Sequence, residues 1–587
     1  MAQQSLQDLI RLAAAGIHDG FTNYNNNYRR ITQRARHRFE QRDWAGARRD
    51  LAERIELYDK SVQRTLGALR GLLDAHIDDL GIWRSIRVLY WSRVDDVPDG
   101  EFSKTFFNSV YRDVLRSLDI DPTQVSDTAD VVSPDQPQRH PARQHSYINW
   151  YSVQDIVARI LGDFRFDTRY VDFEADVAFV VAEIERVVAD CGEADDAVRR
   201  IEVMHDIFYQ TSRAFVVGQL FWTDQSCPFV LAFENRADGV RIEAVLTNPD
   251  DVSVLFGFTR SYFMVDVEPV EGAVDFIKGM LPRKPLDELY TILGRARQGK
   301  TERARSFYRH LADCEDHFVH APGDRGLVML VFTLPSYDLV FKVIRDNFGH
   351  PKNVSHDEVK KKYKFVFNHD RAGRLIDTQE FRNIEFPLNK FAPELVEEML
   401  SSTSHTVRID GDQLVIDHLY SERRLTPLNL FLQDYEFEQA RLALLDYGQA
   451  IKDLAMTNIF PGDLLLKNFG VSRHGRVIFY DYDELTLVTD CEFREVPEAL
   501  YPEDELRAES WFYVSERDIF PEEFMRFIAV EPRLREAFLA AHGDLLTADY
   551  WRDIKQLHVE NRAPEIAPYY RLGARRDGPR EGRAERS

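Results

Sequence analysis

Apolar residues recur every three or four positions through much of the first half of the chain, a spacing typical of amphipathic helices. The charged segment LAERIELYDKSVQRTLGALRGLL is one example, and helical spacing returns over residues 180–222. Two alternating runs follow in PFVLAFENRADGVRIEAVL and are joined through Asp238-Gly239, which predicts a β-hairpin. Helical spacing resumes between residues 266 and 313. The first half is therefore predicted to be mainly helical, with a small β region near residues 228–265.

From Gly326 the pattern changes to short alternating strands, which indicates a domain boundary near residues 310–320. The turn and strand APGDRGLVMLVF precede a second strand, LVFKVI, in which apolar residues surround Lys342. A lysine inside an apolar strand is costly unless an anion meets it, although the ammonium of an edge-strand lysine could instead reach water. A helix and a hairpin around Asp410-Gly411 follow, and residues 435–456 carry the apolar stripe of a buried helix.

These changes in pattern predict the α+β fold class and more than one domain, since 587 residues exceed the length at which one hydrophobic core keeps growing. The first domain is predicted to span residues 1–315. The second spans residues 316–569, with a small lobe over about 316–417 and a large lobe over about 425–569. The Gly/Arg-rich tail, residues 570–587, is polar and aperiodic and is predicted to be disordered.

Composition narrows the classes of partner. Acidic residues outnumber basic ones by 98 to 75, a net charge of −23 that would repel a phosphate backbone, so no nucleic-acid partner is expected. The four cysteines form no CxxC pair, which gives no indication of a zinc site or a disulfide framework. No apolar run reaches the roughly 18 residues that span a bilayer, and the N-terminus lacks the pattern of a signal peptide. We expect a cytoplasmic protein that does not enter a membrane.

The stretch FPGDLLLKNFGVSRHGRVIFYDYDE concentrates the candidate chemistry. Asp463 and Asn468 have the separation of the protein-kinase pattern D-L-x-x-x-N, and Asp481-Tyr482-Asp483 stands where a kinase has DFG. Phosphoryl transfer needs a loop over the phosphates, a lysine on them, an aspartate near the substrate hydroxyl, and an Asn with an Asp to hold Mg²⁺. Each element alone is weak, and Asp481 alone would be interpreted as a turn aspartate. Their order along the chain predicts an atypical protein-kinase lobe pair.

The pattern departs from typical kinases in several places. Pro461 and Gly462 replace the usual His and Arg, so a phosphorylation-switched activation loop is not expected. The third residue of the DFG position is an aspartate, which adds a carboxylate near the metals. The helix glutamate that should pair with Lys342 is uncertain. Glu358 is placed for it, but Ser355 to Glu358 also has the pattern of a capping box, which is the favoured interpretation.

Two other functional classes stay open at this point. The segment GRARQGKT, residues 294–301, satisfies the P-loop pattern and would suit an NTPase, but a P-loop needs an entering strand. The preceding PLDELYTIL has helical spacing, so a helix-turn-helix with Gly299 closing the turn and Lys300 solvated is favoured. A pseudokinase scaffold that binds a partner through its acidic surface is the second alternative. It is weakened because a scaffold would not need the lysine, the base, the Asn and the Asp together.

The chain resembles the bacterial isocitrate dehydrogenase kinase/phosphatase family over most of its length. The matching segments are NYNNNYRRITQRARHRFEQRDW near the start, VFKVIRD around Lys342, GRLIDTQEF around Asp377, and PGDLLLKNFGV with FYDYDE. The resemblance implies a bifunctional enzyme that phosphorylates a serine of isocitrate dehydrogenase with ATP, inactivating it, and dephosphorylates the same serine. Flux would thereby be divided between the tricarboxylic acid cycle and the glyoxylate bypass. The first half resembles the family's regulatory domain.

The resemblance also implies roles for particular residues. Asp463 would be the kinase base, Asn468 and Asp481 the metal ligands with Asp483 beside them, and Asp377 the residue needed for dephosphorylation. Without the resemblance, Asp377 would be interpreted as a helix cap. Lys342 and one turn would contact ATP, the turn consisting of Ala321, Pro322, Gly323, Asp324, Arg325, Gly326 and Leu327.

The expected cofactors are ATP with Mg²⁺, or Mn²⁺ in its place, and AMP or another adenine nucleotide as an allosteric effector. The expected protein partner is isocitrate dehydrogenase. A homodimer is left open, as are the residues of the effector site.

Overall fold

The computed structural model describes residues 5–117 except 96 and 98, 141–149, 152–191, 197–257 except 224, 263–349, 355–369, 372–497 and 512–560 except 529, together with 562 and 566. The tail predicted to be disordered, residues 570–587, lies outside the described residues. The described chain divides into two compact units, one ending at Arg309 and the next beginning at His310. No helix among the described residues has both the length and the apolar character to cross a membrane.

The first unit opens with two long helices joined by a tight turn. Ser5 caps the first helix by accepting a hydrogen bond from Asp8 N, and Asp43 caps the second through Gly46 N at 2.8 Å. An aromatic cluster around Tyr24 lies in the core of these helices and their neighbours. The helices of the unit are α1 (Leu6–Glu40), α2 (Trp44–Leu73), α3 (Leu80–Val94), α4 (Gly100–Ser117), α5 (Val153–Asp163), α6 (Phe173–Cys191), α7 (Pro249–Leu255), α8 (Val270–Met280), α9 (Leu286–Ile292) and α10 (Ala296–Asp313).

A sheet of six described strands lies within this helical unit, in the order β1-β2-β4-β5-β6 with β3 paired to β4. All of these pairs are antiparallel, and α5 and α6 share a hydrophobic core with the sheet. The strands are β1 (Gln144–Ile148), β2 (Val198–Met204), β3 (Phe208–Gln210), β4 (Arg213–Trp222), β5 (Gln225–Asn235) and β6 (Val240–Leu246).

The predicted hairpin at Asp238-Gly239 is confirmed as the β5–β6 pair. The predicted β region near residues 228–265 is wrong in extent, because the sheet begins at Gln144 and ends at Leu246. The helix predicted from the spacing over residues 180–222 is also wrong beyond the end of α6, where strands β2 to β4 follow. Strands β4 and β5 are buried along most of their length on both faces, so their apolar residues run continuously and lack the alternation that marks a half-exposed strand.

The second unit begins with a small lobe built on an antiparallel sheet in the order β10-β12-β9-β8-β7, with β11 paired to β12. The hairpin predicted at Asp410-Gly411 is confirmed as β11–β12. The elements are β7 (Val319–His320), β8 (Met329–Thr333), β9 (Leu339–Ile344), α11 (His356–His369), β10 (Gln379–Pro387), α12 (Pro393–Ser402), β11 (Val407–Asp410) and β12 (Gln413–Arg423).

A mainly helical large lobe follows. The stripe predicted for a buried helix is confirmed, since Ala440, Leu444, Tyr447, Ile451 and Leu454 are all buried along one helix. The elements are β13 (Thr426–Pro427), α13 (Leu428–Asp434), α14 (Phe437–Met456), β14 (Ile459–Phe460), β15 (Phe469–Val471), β16 (Val477–Phe479), β17 (Thr486–Leu487), β18 (Glu492–Phe493), β19 (Asp518–Ile519), α15 (Pro532–His542) and α16 (Ala548–Val559).

Candidate active site

Lys342 lies on β9, a central strand of the small-lobe sheet. It is opposite Val331 on one neighbouring strand and Tyr420 on the other, and its side chain is 7% exposed. Its Nζ is 2.7 Å from Glu422 Oε2 and donates a hydrogen bond to the Tyr480 carbonyl oxygen at 2.9 Å. The alternative of an edge-strand lysine with a solvated ammonium is therefore wrong. The cost of burying this charge is offset by an anion, as the sequence pattern requires.

The carboxylate that meets Lys342 comes from strand β12, not from helix α11. Glu358 forms the capping box instead, because its Oε2 accepts from Ser355 N at 2.7 Å and its own N–H donates to Ser355 Oγ at 3.3 Å. The favoured capping-box interpretation is confirmed. Burial raises the pKa of Glu422, and the Lys342 ammonium opposes that shift. Sequence reasoning missed Glu422, since only the register that places Tyr420 opposite Lys342 brings it near.

Asp463 and Asn468 share one turn between β14 and the short 3₁₀ helix that ends at Asn468. Asp463 Oδ1 accepts from Leu465 N at 3.2 Å, and the Asp463 carbonyl oxygen accepts from Asn468 Nδ2 at 3.3 Å. The Tyr447 hydroxyl on α14 donates to the Leu464 carbonyl oxygen at 2.6 Å. The turn is therefore anchored on the buried helix, and the aspartate and the amide are held together.

Gly462 replaces the usual arginine for a steric reason. Its φ is +82°, and a Cβ at this position would lie 2.5 Å from the carbonyl oxygen of Glu484. Such a contact is closer than real Cβ atoms allow, and the left-handed backbone adds strain for any side chain. The chain crossing between Gly462 and Glu484 thus excludes a larger residue here.

Asp481 follows the end of β16, next to the turn that carries Asn468. Tyr480 N donates to the Asn468 carbonyl oxygen at 3.1 Å, and the buried Tyr482 donates its hydroxyl to the Ile376 carbonyl oxygen at 2.9 Å. Burial raises the pKa of the Tyr480 hydroxyl, and the Asp481 carboxylate raises it further. The segment after β16 is therefore fixed on both sides, and Asp481 adds negative charge beside the lysine site.

Asn468, Asp481 and Asp483 provide the amide and carboxylate oxygens that Mg²⁺ prefers. The bond from Asn468 Nδ2 places the amide oxygen at the opposite end of the group. Asp483 is 7% exposed. Among the described residues no three His, Cys, Asp or Glu side chains cluster closely enough to hold a metal ion alone. Mg²⁺ at a phosphate site binds one or two carboxylates together with water and phosphate oxygens. The amide and carboxylate types of these three side chains fit the Mg²⁺ that the sequence pattern implies.

The predicted ATP-contacting turn lies between the antiparallel strands β7 and β8. Gly323 has φ +112°, and a Cβ there would lie 3.3 Å from Pro427 Cγ, so the turn approaches the start of the large lobe. Lys467 Nζ lies 3.8 Å from Asp324 Oδ2. Pro322 to Leu327 are exposed and Ala321 is half-buried. The turn therefore extends over the region where the two lobes meet.

Arginines hold the base of this turn. Arg325 forms an ion pair with Glu398 on α12, and Arg345 Nη2 lies 2.7 Å from the other oxygen of the same carboxylate. Arg345 Nε also donates to the Gly326 carbonyl oxygen at 3.0 Å. The tip of the turn is left exposed while its C-terminal end is tied to the small lobe.

Asp377 precedes strand β10, so the helix-cap alternative for this residue is wrong. The segment before it pairs with the end of β16 through a parallel bridge between Leu375 and Phe479. Asp377 is half-buried, and Gln379 Nε2 lies 3.5 Å from its Oδ2. The neighbouring Thr378 donates its hydroxyl to Glu422 Oε1 at 2.8 Å. Asp377 is thus adjacent in sequence to a residue that contacts the carboxylate paired with the lysine.

The P-loop pattern at residues 294–301 does not form a phosphate-binding loop. The entering element is helix α9, and helix α10 already begins at Ala296. Gly299 and Lys300 lie inside α10, so the turn predicted to close at Gly299 is wrong. The turn is at Gly294, whose φ is +85°. A P-loop needs an entering strand, so this segment is not one.

The strand order, the buried lysine and the two aspartate-bearing turns define a protein-kinase-like domain, preceded by a mainly helical unit that contains its own sheet. The family model described as the isocitrate dehydrogenase kinase/phosphatase (AceK) kinase domain matches residues 316–571, and the model of the regulatory domain of that protein matches residues 14–315. The chain belongs to the isocitrate dehydrogenase kinase/phosphatase family.

Individual relatives agree with the family models. The chain is 44% identical over 567 residues to the isocitrate dehydrogenase kinase/phosphatase of Anaeromyxobacter sp. (strain Fw109-5), covering 96% of this chain and 97% of the relative. It is 42% identical over 575 residues to that of Xanthomonas campestris pv. campestris (strain 8004), with 97% and 99% covered. Among solved structures, the ROP18 kinase domain in complex with AMP-PNP and sucrose is 13% identical, with 43% of this chain and 89% of that one covered. The TM-score of this match is 0.20.

Proposed function

We propose that this chain phosphorylates a serine of isocitrate dehydrogenase with ATP and removes the same phosphate. The observation that carries the proposal is the buried contact between Lys342 and Glu422, on the sheet beside the turn of Asp463 and Asn468 and the segment of Asp481. Family membership over nearly the whole chain supports the choice of substrate. Inactivation and reactivation of the dehydrogenase would divide flux between the tricarboxylic acid cycle and the glyoxylate bypass.

In the forward reaction Lys342 would bind phosphate oxygens of ATP. The ammonium carries three N–H donors. Two are directed at Glu422 Oε2 and the Tyr480 carbonyl oxygen, and the third can reach a phosphate. The turn Ala321–Leu327 would cover the phosphates. Asp463 would accept the proton of the substrate hydroxyl, since its place on the turn is that of the kinase base.

Asn468, Asp481 and Asp483 would hold Mg²⁺. The ion would neutralise charge on the phosphate oxygens that develops during transfer. The same three side chains would also orient the nucleotide. Their two carboxylates would offset the positive charge of Lys342.

In the reverse reaction Asp377 would orient water on the phosphoserine. A phosphate repels an incoming nucleophile, so the same cationic groups that help the forward transfer would help this attack. What the kinase groups lack is a second base, and Asp377 lies on the segment that pairs with the end of β16. One nucleotide site would then serve both directions.

We assign the regulatory role to residues 1–315 and the catalytic role to residues 316–569. AMP or another adenine nucleotide would act on the first of these domains. The P-loop alternative is not favoured because its segment is helical. The scaffold alternative is not favoured because the lysine, the candidate base and the candidate metal ligands are all retained.

The test is a two-way assay on one preparation. Purified protein is incubated with isocitrate dehydrogenase, Mg²⁺ and ATP labelled at the γ-phosphate, with EDTA as the control. We expect label on a dehydrogenase serine, loss of dehydrogenase activity, and recovery of activity with release of labelled phosphate once ATP is exchanged for an unlabelled adenine nucleotide. Absence of labelling while ATP is still hydrolysed would reject isocitrate dehydrogenase as the substrate.

A further inference from the structure

Glu422 is the most enclosed charged group of the lysine site, with a side chain that is 1% exposed. Its two carboxylate oxygens face different partners. Oε2 meets the Lys342 ammonium at 2.7 Å, and Oε1 accepts from the Thr378 hydroxyl at 2.8 Å. A buried carboxylate with both oxygens engaged holds its neighbours in defined positions, because moving either partner leaves part of a buried charge uncompensated.

The helix glutamate that would hold a kinase lysine is committed elsewhere. Glu358 accepts hydrogen bonds from both the backbone and the side chain of Ser355 at 2.7 Å. Its contacts therefore belong to the first turn of α11. The only described carboxylate within ion-pair distance of Lys342 is Glu422, which β12 carries toward the same face as Tyr420.

The Thr378 contact extends this arrangement toward the second reaction. Thr378 is 2% exposed and adjoins Asp377 in the chain. Its hydroxyl bond to Glu422 ties the segment of Asp377 to the carboxylate that holds the lysine. A single side chain is thus connected to the residue proposed for ATP binding and to the neighbour of the residue proposed for dephosphorylation.

We propose that Glu422 is a positioning residue for both reactions, orienting Lys342 directly and the Asp377 segment through the Thr378 hydroxyl. This inference rests on the proposed function for the roles of Lys342 and Asp377. It assigns to strand β12 the task that helix αC performs in typical protein kinases, and it adds a hydrogen-bonded link between the kinase and phosphatase groups.

The first experiment compares the two glutamates in nucleotide binding, which needs no protein substrate. Calorimetry with AMP-PNP and Mg²⁺ is run on wild type, Glu422→Gln and Glu358→Gln. We expect Glu422→Gln to weaken binding about tenfold or more and to lower kinase kcat roughly 10²-fold, the effect of a small misplacement of a reacting group. Glu358→Gln should stay within about threefold in both, since its contacts are those of a helix cap. A loss confined to Glu358→Gln would overturn the proposal.

The second experiment tests the link through Thr378 with a matched pair of variants. Thr378→Val keeps the shape and removes the hydroxyl, whereas Thr378→Ser keeps the hydroxyl. We expect Thr378→Val to lower phosphatase kcat about 10- to 100-fold, the effect of losing a hydrogen bond to a charged group, with kinase kcat changed much less. Thr378→Ser should restore the phosphatase to within about threefold. Equal loss of both activities in Thr378→Val, or no loss, would reject the link.

The two experiments separate this inference from the proposed function. One outcome is that wild type and Glu358→Gln bind AMP-PNP while Glu422→Gln does not, and that wild type still fails to act on isocitrate dehydrogenase. In that case the substrate assignment fails and the positioning of Lys342 stands. If wild type acts in both directions and Glu422→Gln binds and turns over normally, the inference fails and the function stands. Should Glu422→Gln not fold, judged by circular dichroism, Glu422→Asp, which keeps the charge but shortens its reach, replaces it in the first experiment with the same expected losses, and normal binding and turnover would overturn that part. The Thr378 variants decide the second part.

Discussion

The backbone of Leu375 pairs in parallel with that of Phe479, and Ile376 N donates to the Phe479 carbonyl oxygen at 3.1 Å. Asp377 lies two residues after Leu375, and Asp481 lies two residues after Phe479. Paired parallel segments run in the same direction, so Asp377 and Asp481 both follow this bridge at the same distance along the backbone. The bridge therefore links the segment of a residue proposed for dephosphorylation to the segment of a proposed metal ligand.

The variant Asp377→Ala tests whether Asp377 is needed for dephosphorylation. It should lower phosphatase activity by roughly 10² to 10⁴, the contribution of a positioned acid or base, while most kinase activity is retained. Both activities are measured on one preparation, with the thermal unfolding midpoint as the control. Loss of the two activities in parallel, with a lower midpoint, would mean that Asp377 is only structural.

The parts of this site that depend on local sequence could be predicted. Asp463 and Asn468 lie on one turn, and Lys342 lies within a contiguous apolar run. The pattern along the chain therefore identifies all three residues. The pairing of Glu422 with Lys342 could not be predicted, since it depends on the register of two strands far apart in sequence. The lysine indicated that an anion was needed without indicating which one.

The same distinction applies to the first unit. Helices α1 and α2 alternate buried and exposed residues with helical spacing, so the pattern predicts them. Strands β4 and β5 lie inside the unit, and burial on both faces removes the alternation by which a strand is recognised. The β region was therefore underestimated where the sheet is most deeply buried.

Asp463→Asn should lower phosphorylation of isocitrate dehydrogenase by roughly 10² to 10⁴. The amide keeps the shape of the side chain and can still accept from Leu465 N, but it is a poor acceptor for the proton of the serine hydroxyl. Steady-state transfer of label from ATP measures the effect, and AMP-PNP affinity within about threefold of wild type shows that the nucleotide site is intact. Near-normal turnover would reject Asp463 as the base.

Lys342→Met and Lys300→Met compare the two lysines that sequence patterns associate with phosphates. Lys342→Met should abolish ATP-dependent activity, because the buried charge proposed to bind the phosphates is lost. Lys300 lies inside helix α10, so Lys300→Met should leave activity within about threefold, the usual result outside a functional site. Mg²⁺-dependent ATP hydrolysis is measured for both. Loss of hydrolysis in Lys300→Met alone would restore the P-loop alternative.

Arg374 is fully buried and joins the segment before Asp377 to helix α14. Its guanidinium contacts Asp453 Oδ2 at 2.8 Å and Asp446 Oδ2 at 2.6 Å, and the Arg374 charge holds the pKa of Asp446 below its usual value despite burial. Arg374→Met would remove this cation from the buried Asp453 carboxylate and from the half-buried Asp446 carboxylate, and should lower the free energy of unfolding by about 3–5 kcal/mol.

The matched control for this variant is Arg441→Met on the same helix. Arg441 pairs with Glu438 at the surface, where such pairs contribute about 1 kcal/mol or less. Urea unfolding followed by circular dichroism compares the two. Similar small losses in both variants would show that the buried network contributes no more than a surface pair.

Glu271 in the first unit should make stability depend on pH. Burial, followed by the nearby Asp99 carboxylate, raises its pKa from 4.5 to about 7, although Arg295 opposes the shift. Between about pH 4.5 and 7 the folded chain then binds more protons at this site than the unfolded chain, so the free energy of unfolding falls as pH rises through that window. A variant that stays neutral isolates this contribution.

Glu271→Gln stays neutral and should lack this contribution. Its stability relative to wild type should be nearly constant below pH 4.5 and should increase up to about pH 7, by on the order of 1 to 3 kcal/mol. Urea unfolding at half-unit pH steps measures the difference, with Glu56→Gln on the exposed face of α2 as a control that should change stability by less than about 0.5 kcal/mol. Parallel pH profiles for wild type and Glu271→Gln would show that Glu271 is already ionised throughout this range.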